Sequence, residues 1–341
     1  MTQAHTLPDT MHAVAISTPG GPDVLRRQPW PMPACGAGDL LIRVAASGVN
    51  GPDLAQRRGQ YDPPPGASPL PGLEVAGVIA AIGSAVEGWQ IGDRVMALTN
   101  GGGYADFVAV PAGQALPVPA GWTLSEAATL PETWFTVTQT LVLRAGLDPG
   151  MSVMIHGAAG GIGGAAIQIA TLLGARAIAV VSSAAKADYA IRLGAVATID
   201  YTSENIATRA LELTEGHGVD RVLDIIGGAM AQTNLAASAR GGHIVQVSTL
   251  DGAKAEVSLR TIMAKQLTLS GSTLRPQTAA TKAVIASYMR AHLLPALAAP
   301  GFTRPMVTSF PIEQAAQAHA SMEARGHIGK LVLVSPFGAG Q

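Results

Sequence analysis

The chain of 341 residues is long enough for two domains with well-buried cores. Hydrophobic residues make up 48% of it and charged residues only 13%, with 40 glycines, a composition that suits an α/β protein with much buried parallel sheet or packed helix. A net charge of −1 leaves no electrostatic footprint for nucleic acid or an anionic membrane, so neither is expected as a partner.

Residues 1–11 have no basic start and no apolar core, so they read as a disordered tail rather than a secretion signal, and a cytoplasmic location is expected. Cys35 is the only cysteine and lies in the loop-like Pro33–Gly38, which rules out a disulfide framework and suits an incidental thiol. Short β-like runs follow at Val14–Ile16, Leu40–Ala46, Leu73–Ile82, Arg94–Leu98 and Tyr104–Val110, separated by Gly, Pro and Asp. Many short strands before any alternation with helices suggest a mostly-β first unit. It is expected to end near a helix over Leu124–Ala145, opened by the capping-box pair Thr123 and Glu126. Inside this unit Asn50 and Asp53 sit at a strand-to-helix junction, where each suits a capping role. Tyr61 precedes the stiff Asp62–Pro65; on residues alone, an ordinary half-buried tyrosine is an equal alternative to a functional one.

Val153–Ile155 reads as a buried strand, followed by a turn rich in glycine (Gly157, Gly160, Gly161, Gly163, Gly164) and then by Ile162, Ala166, Ile169, Ala170 and Leu173 at helical spacing. Strand, glycine turn and helix aim backbone N–H groups of Gly160, Gly161 and Ile162 and a positive helix end at a pyrophosphate. Gly163 is expected to let the helix pack tightly on the strand. Ala158 replaces the first glycine of the usual G-x-G-x-x-G, so the bare motif also suits a glycine-rich connection in some other α/β protein. The surroundings favour the dinucleotide. Strands at Ala177–Val181, Thr198–Asp200, Val219–Ile225, His243–Val247 and Gln266–Ser270 alternate with helices at Ala184–Leu193 and Glu204–Thr214, the pattern of a doubly wound parallel sheet. NAD enzymes place Asp or Glu at the end of the second strand, roughly 20 residues past the glycines. This chain has Ser182 and Ser183 there, with Lys186 one helical turn on and Tyr201 after the third strand. Asp224–Gly227, Val247–Thr249 and Ser272–Arg275 end the later strands, where the nicotinamide half is expected. His156 is expected to pack beside the glycine turn. Helices over Thr278–Leu294 and Ile312–Ala324 and a strand at Leu331–Val334 close the chain, and the strand should return to the first unit.

Pro71–Gly77 and Gly92–Val95 resemble the medium-chain dehydrogenase/reductase superfamily. Its zinc alcohol dehydrogenases carry Gly-His-Glu where this chain has Gly72-Leu73-Glu74, no cysteine occupies the Gly48-Val49-Asn50 segment, and no four-cysteine lobe exists. Zinc needs three or four N, S or O ligands, so none is expected here. Asn50, Asp53, Gln56–Tyr61, Asp62–Gly66, Gly72–Glu74, Gly101–Gly103 and Ile328–Lys330 resemble the zinc-free quinone oxidoreductases, zeta-crystallin-like proteins, and within them the tumour-suppressor-inducible group. The likeness runs from about Met11 to Val334. It implies a discontinuous GroES-like mostly-β domain (residues 1–133 and 276–341) around a Rossmann cofactor domain (residues 134–275). It implies NADPH, with Lys186 and Tyr201, fifteen residues apart, clasping the 2′-phosphate beside Ser182. It further implies cofactor contacts from Asn50, Thr136, Ile226, Val247, Ser248, Thr273 and Leu274, and a homodimer paired through an edge strand, here Gln266–Ser270. His327 stands where relatives commonly have Asn before Ile-Gly-Lys.

The expected chemistry is zinc-independent reduction of a quinone or related conjugated carbonyl, with Tyr61 as first and Asn50 as second donor to developing oxyanion charge. An enoyl-thioester or alkenal reductase is the enzymatic alternative, for which Arg57-Arg58 is the only obvious basic pair near Tyr61. An NADPH-binding structural or sensor protein with little turnover is the alternative of another class.

Overall fold

A computed structural model describes residues 7–340 and divides them into two compact units. The first takes the chain up to Glu132, then Thr278–Arg290 and the residues from Val307 onward; the second is Thr133–Gln277 with Ala291–Met306. Of the expected N-terminal tail, residues 1–6 lie outside the described residues. Thr10 and Met11 do not belong to a tail: they open strand β1 (Thr10–Ile16), and Met11 is buried among Ala13, Ala15 and Leu70.

β1 pairs antiparallel with β2 (Leu25–Pro31), a strand not legible in the sequence because its own residues, LRRQPWP, mix charge with proline on a largely exposed edge. β3 (Asp39–Gly48), helix α1 (Gly51–Arg57), β4 (Glu74–Ile82), β5 (Arg94–Leu98), β6 (Phe107–Pro111) and β7 (Ala115–Pro117) follow. Leu40, Ile42, Val44, Val75, Ile79 and Val95 pack into a core on the sheet these strands form. Helices α2 (Leu124–Ala127) and α3 (Pro131–Val137) replace the single helix expected over Leu124–Ala145. The break has a local cause: Pro131 has no N–H and pushes Leu130 out of helical conformation. Beyond α3, residues 138–144 widen into i→i+5 turns, with Ala145 N–H reaching Thr140 O at 2.9 Å.

The second unit is built on β8 (Ser152–Ile155), α4 (Gly161–Leu172), β9 (Arg176–Val181), α5 (Ala184–Arg192), β10 (Ala197–Asp200), α6 (Ile206–Leu213), β11 (Val219–Asp224), α7 (Met230–Ala237), β12 (Ser238–Gln246), α8 (Leu259–Lys265) and β13 (Thr268–Gly271). Its six strands are all parallel in the order β10-β9-β8-β11-β12-β13, a Rossmann-like sheet. Such strands are buried on both faces, which is why Met154, Ile178, Val180, Ile199, Val222 and Ile244 read as apolar runs without alternation. β13 starts later than expected because Gln266 adopts a left-handed conformation (φ 54°) that ends α8.

The closing segment holds α9 (Ala279–Tyr288), α10 (Leu294–Leu297), β14 (Val307–Pro311), α11 (Ala315–Glu323) and β15 (Lys330–Val334). The expected helix Thr278–Leu294 therefore divides, and residues 291–306 count with the second unit rather than the first. β15 pairs antiparallel with β3 (Val332 opposite Gly48), completing the order β14-β15-β3-β4-β5-β7 in the first unit. No helix among the described residues is long and apolar enough to cross a membrane.

Candidate functional site

In the second unit β8 runs into Gly157, whose φ of +63° suits glycine, and then to Gly160, the N-cap of α4. No side chain caps α4, and its first internal bond runs from Gly164 N–H to Gly160 O. The amides of Gly161 and Ile162 are thus left facing outward at the positive helix end, the arrangement that suits a phosphate. A Cβ on Gly163 would collide with Ala158 Cα and Gly157 O, so only glycine allows this helix its approach to the turn.

Asp200 at the end of β10 lies opposite Val181 at the end of β9, and Tyr201 N–H donates to Val181 O at 3.1 Å. Ser182 and Tyr201 therefore leave neighbouring strand tips side by side. Lys186, in the first turn of α5, donates from Nζ to Ser182 Oγ at 3.0 Å, while Ser183 Oγ caps the same turn by accepting from Lys186 N. Tyr201 is exposed. This corner gathers a cation, two hydroxyls and a phenol with no carboxylate on the β9 tip, and it complements a dianionic phosphate.

The later strand tips are tied to one another. Asp224 O accepts from Val247 N–H at 2.8 Å, and Ser272 N–H donates to Gln246 O at 3.0 Å. Gln246 Nε2 donates to Ser248 O at 2.5 Å. Ile226 N–H is held by Asp224 Oδ1 at 2.6 Å. Thr273 is exposed and accepts through its carbonyl from Gln277 Nε2 at 3.0 Å and Gln139 Nε2 at 3.5 Å; Leu274 is buried. Thr136 is buried in α3 and its carbonyl accepts from Thr140 Oγ1 at 2.7 Å. His156 is buried at the end of β8, bonded through Nε2 to Asn234 Oδ1 at 2.7 Å; burial lowers its pKa, against the nearby Asp224 charge.

The first unit holds a separate buried polar centre. Asn50, N-cap of α1, donates from Nδ2 to Glu74 Oε1 at 2.9 Å and more weakly to Gly48 O at 3.4 Å. Its Oδ1 accepts from Lys330 Nζ, which also lies 2.7 Å from Glu74 Oε1. Glu74 Oε2 accepts from Glu132 N–H at 2.9 Å. Asp53 accepts from Asn50 N–H at 2.9 Å and from Gly72 N–H at 2.8 Å, fixing the two loops to each other. Burial, reinforced by the Glu74 charge, raises the Glu132 carboxyl to about 8. Asn50, expected as a second oxyanion donor, here turns its amide toward Glu74 and, more weakly, Gly48 O. Tyr61 is half-buried two residues past Gly59, which follows α1 and has a φ of +71°.

Arg57 and Arg58 do not form an accessible basic pair. Arg57 is 1% exposed, bonds His319 Nδ1 at 3.4 Å and pairs with Glu323, which it shares with Arg58. His319 in turn meets Tyr104 O–H at 3.1 Å, and burial, reinforced by the Arg57 charge, lowers its pKa to about 3. His327 is half-buried in the turn ahead of Gly329.

Among the described residues no group of three His, Cys, Asp or Glu could hold a metal ion. At Glu74, the one acid of the expected zinc motif, the carboxylate already accepts an ammonium, an amide and a backbone N–H, and its neighbour Leu73 offers no ligand atom. The residues present do not fit a zinc ion. Two residues of these centres carried no signal in the sequence: Asn234, an ordinary polar position on α7, and Glu132, read only as part of a helix.

Residues 36–120 match the family model described as alcohol dehydrogenase GroES-like domain, and residues 161–288 the one described as zinc-binding dehydrogenase. Rat quinone oxidoreductase is 30% identical over 328 residues, covering 95% of this chain and 98% of its own. A mycobacterial protein solved in complex with NADPH is 33% identical with a TM-score of 0.83, over 95% of this chain and 100% of its own. The enoyl reductase CurK is 27% identical with a TM-score of 0.84, over 96% of this chain and 100% of its own.

Proposed function

Because the chain belongs to the medium-chain dehydrogenase/reductase superfamily, in its quinone oxidoreductase branch, we propose that it is an NADPH-dependent, zinc-independent reductase of quinones or related conjugated carbonyls. The observation that carries the coenzyme choice is the corner at the β9 and β10 tips, where Lys186 Nζ rests on Ser182 Oγ at 3.0 Å beside Tyr201. A lysine there attracts a 2′-phosphate, and no acid on the β9 tip repels it or binds a ribose 2′-hydroxyl. The mycobacterial complex with NADPH supports the same choice.

Bound NADPH would supply the reducing equivalents. Gly161 and Ile162 would hold its pyrophosphate with backbone N–H groups, the expected third amide, that of Gly160, being spent on Gly157 O at 3.0 Å, while Ser182, Lys186 and Tyr201 would hold the 2′-phosphate. Thr136, Ile226, Val247, Ser248, Thr273 and Leu274 orient the nicotinamide half. Tyr61 O–H donates a hydrogen bond to the acceptor oxygen as charge develops on it. Asn50 acts by holding the start of α1, the helix that leads to Tyr61. A quinone is already electrophilic, so the reaction needs no Lewis acid beside Glu74.

An enoyl-thioester or alkenal reductase is the second reading, favoured by the likeness to the enoyl reductase CurK. The burial of Arg57 removes the basic pair that would have welcomed an acyl-carrier substrate. NADPH oxidation, followed by loss of the reduced coenzyme's absorbance, with ortho- and para-quinones, enals and crotonyl thioesters separates the readings. Quinone turnover well above the others is expected. Turnover of thioesters alone transfers the chain to the second reading, and flat traces despite tight NADPH binding make it a binding protein.

The edge strand β13 carries the exposed Leu269, and α8 beside it exposes Leu259 and Met263. An apolar strand edge calls for cover, which supports a homodimer. Light scattering is expected to give twice the chain mass, and a monomer at micromolar concentration overturns it.

A further inference from the structure

His156, Asn234 and Asp224 form a hydrogen-bonded row at the carboxyl ends of β8 and β11, and all three are withdrawn from solvent at 1%, 0% and 0% exposure. A carboxylate only accepts, so the Asn234 amide must turn its Nδ2 toward Asp224 Oδ2, at 2.9 Å. Its Oδ1 then faces His156 Nε2 at 2.7 Å. An amide oxygen also only accepts, so the imidazole carries its proton on Nε2. Asp224 thereby sets the amide orientation, and the amide sets the histidine tautomer.

The other end of the row shapes the turn beyond β11. Asp224 Oδ1 accepts from the N–H groups of Ile226 at 2.6 Å and Gly227 at 3.1 Å, and Gly227 takes a φ of +72° to complete the bend. The Asp224 carbonyl holds Val247 N–H, so the tip of β12 is tied to the same residue. The glycine turn abuts this bend directly: a Cβ on Gly157 would meet Ile225 Cδ1 at 2.5 Å. A single buried amide on α7 thus links the strand that enters the glycine turn to the backbone at Ile226 and Val247.

We propose that Asn234 is a positioning residue for the coenzyme: by joining His156 to Asp224 it holds the Asp224–Gly228 turn and the β12 tip in the shape that receives the nicotinamide half. This rests on the coenzyme reading given above. The adenine half is gripped at β9 and β10, on the other side of β8 in the sheet order, and does not depend on this row.

The test compares two probes on the full chain, NADPH and 2′-AMP, the second having the 2′-phosphate and adenosine but neither the pyrophosphate nor the nicotinamide. Asn234→Leu leaves a buried donor on His156 and a buried carboxylate oxygen on Asp224 unpaired, so NADPH should bind about tenfold more weakly or worse. Affinity for 2′-AMP should stay within about twofold, since the groups at the β9 and β10 tips that would bind it have lost no partner. A purely structural role would weaken both probes together. Because Asn234→Leu could fold poorly, His156→Gln and His156→Leu provide the second pair. Glutamine can present an N–H where Nε2 stands and should keep NADPH affinity within about threefold, whereas leucine should repeat the loss. Equal losses of both probes, no loss, or identical behaviour of the two His156 variants overturns the inference. Failure of the wild-type chain to bind either probe overturns the coenzyme reading, and this inference with it.

Discussion

Lys330 Nζ lies 2.7 Å from Glu74 Oε1, and the two side chains are 5% and 0% exposed. The pair joins β15 to β4 through a sheet in which β3 stands between them. Asn50 bridges both ions, and Glu132 N–H takes the remaining carboxylate oxygen. Gly48 makes room for this: a Cβ there would collide with the Glu74 carboxylate. Buried ions of this kind are tolerated because every polar atom has a partner.

Removing one ion should therefore cost more than removing both. Lys330→Met is expected to destabilise the chain by about 3–5 kcal/mol, because it strands a buried carboxylate. Adding Glu74→Gln should recover part of that loss, a coupling that urea unfolding of the two single variants and the double variant measures. Strictly additive losses would show that the ions do not act as a pair.

Glu132 should make stability pH-dependent. Its carboxyl titrates near 8 in the folded chain, against an ordinary value of 4.5, because burial and the Glu74 charge disfavour the anion, while Lys330 and Lys282 favour it. The folded state then binds more protons than the unfolded one between those limits, so stability is full below about 4.5 and falls as pH rises to about 8. Glu132→Gln removes the titration. Urea midpoints at pH 5.5 and 8 (about two pH values inside that window) should fall less in the variant than in the wild type; parallel falls contradict this.

Lys186→Ala tests the coenzyme corner. NADPH affinity is expected to drop about tenfold or more with the loss of a charge-assisted contact to the 2′-phosphate, and NADH affinity to change by less than about twofold. Fluorescence titration with both coenzymes measures it. Equal losses remove the basis for NADPH.

Tyr61→Phe tests the donor. If the phenol meets charge only as it develops, kcat should fall about 10²-fold, in line with the loss of one oxyanion donor, with NADPH affinity nearly unchanged. Steady-state kinetics with the best quinone, set beside coenzyme titration, separates this from a packing role, for which turnover stays level.

The parts legible from sequence are those whose physics is local. A strand, a glycine turn and a helix at Val153–Leu173 are written in neighbouring residues, because period and glycine placement act over a few positions. The alternation of strands and helices beyond it, and the chain's return to the first unit at β15, followed from the same patterns. Local reading failed where a breaker was overlooked, as at Pro131, and where a strand owes its existence to a partner, as β2 does to β1.

What the residues determined on their own was their chemistry: no ligand atom at Leu73, no acid at Ser182, a cation at Lys186 and glycine where a Cβ could not fit at Gly163. Only the tertiary structure decided which groups are spent on one another. Asn50 and Lys330 are 280 positions apart, and so are removed from each other in every local window. Strand register and burial bring them together, and desolvation then compels each to find a partner. The same holds for Asn234, whose neighbours in sequence say nothing of the histidine and aspartate it joins.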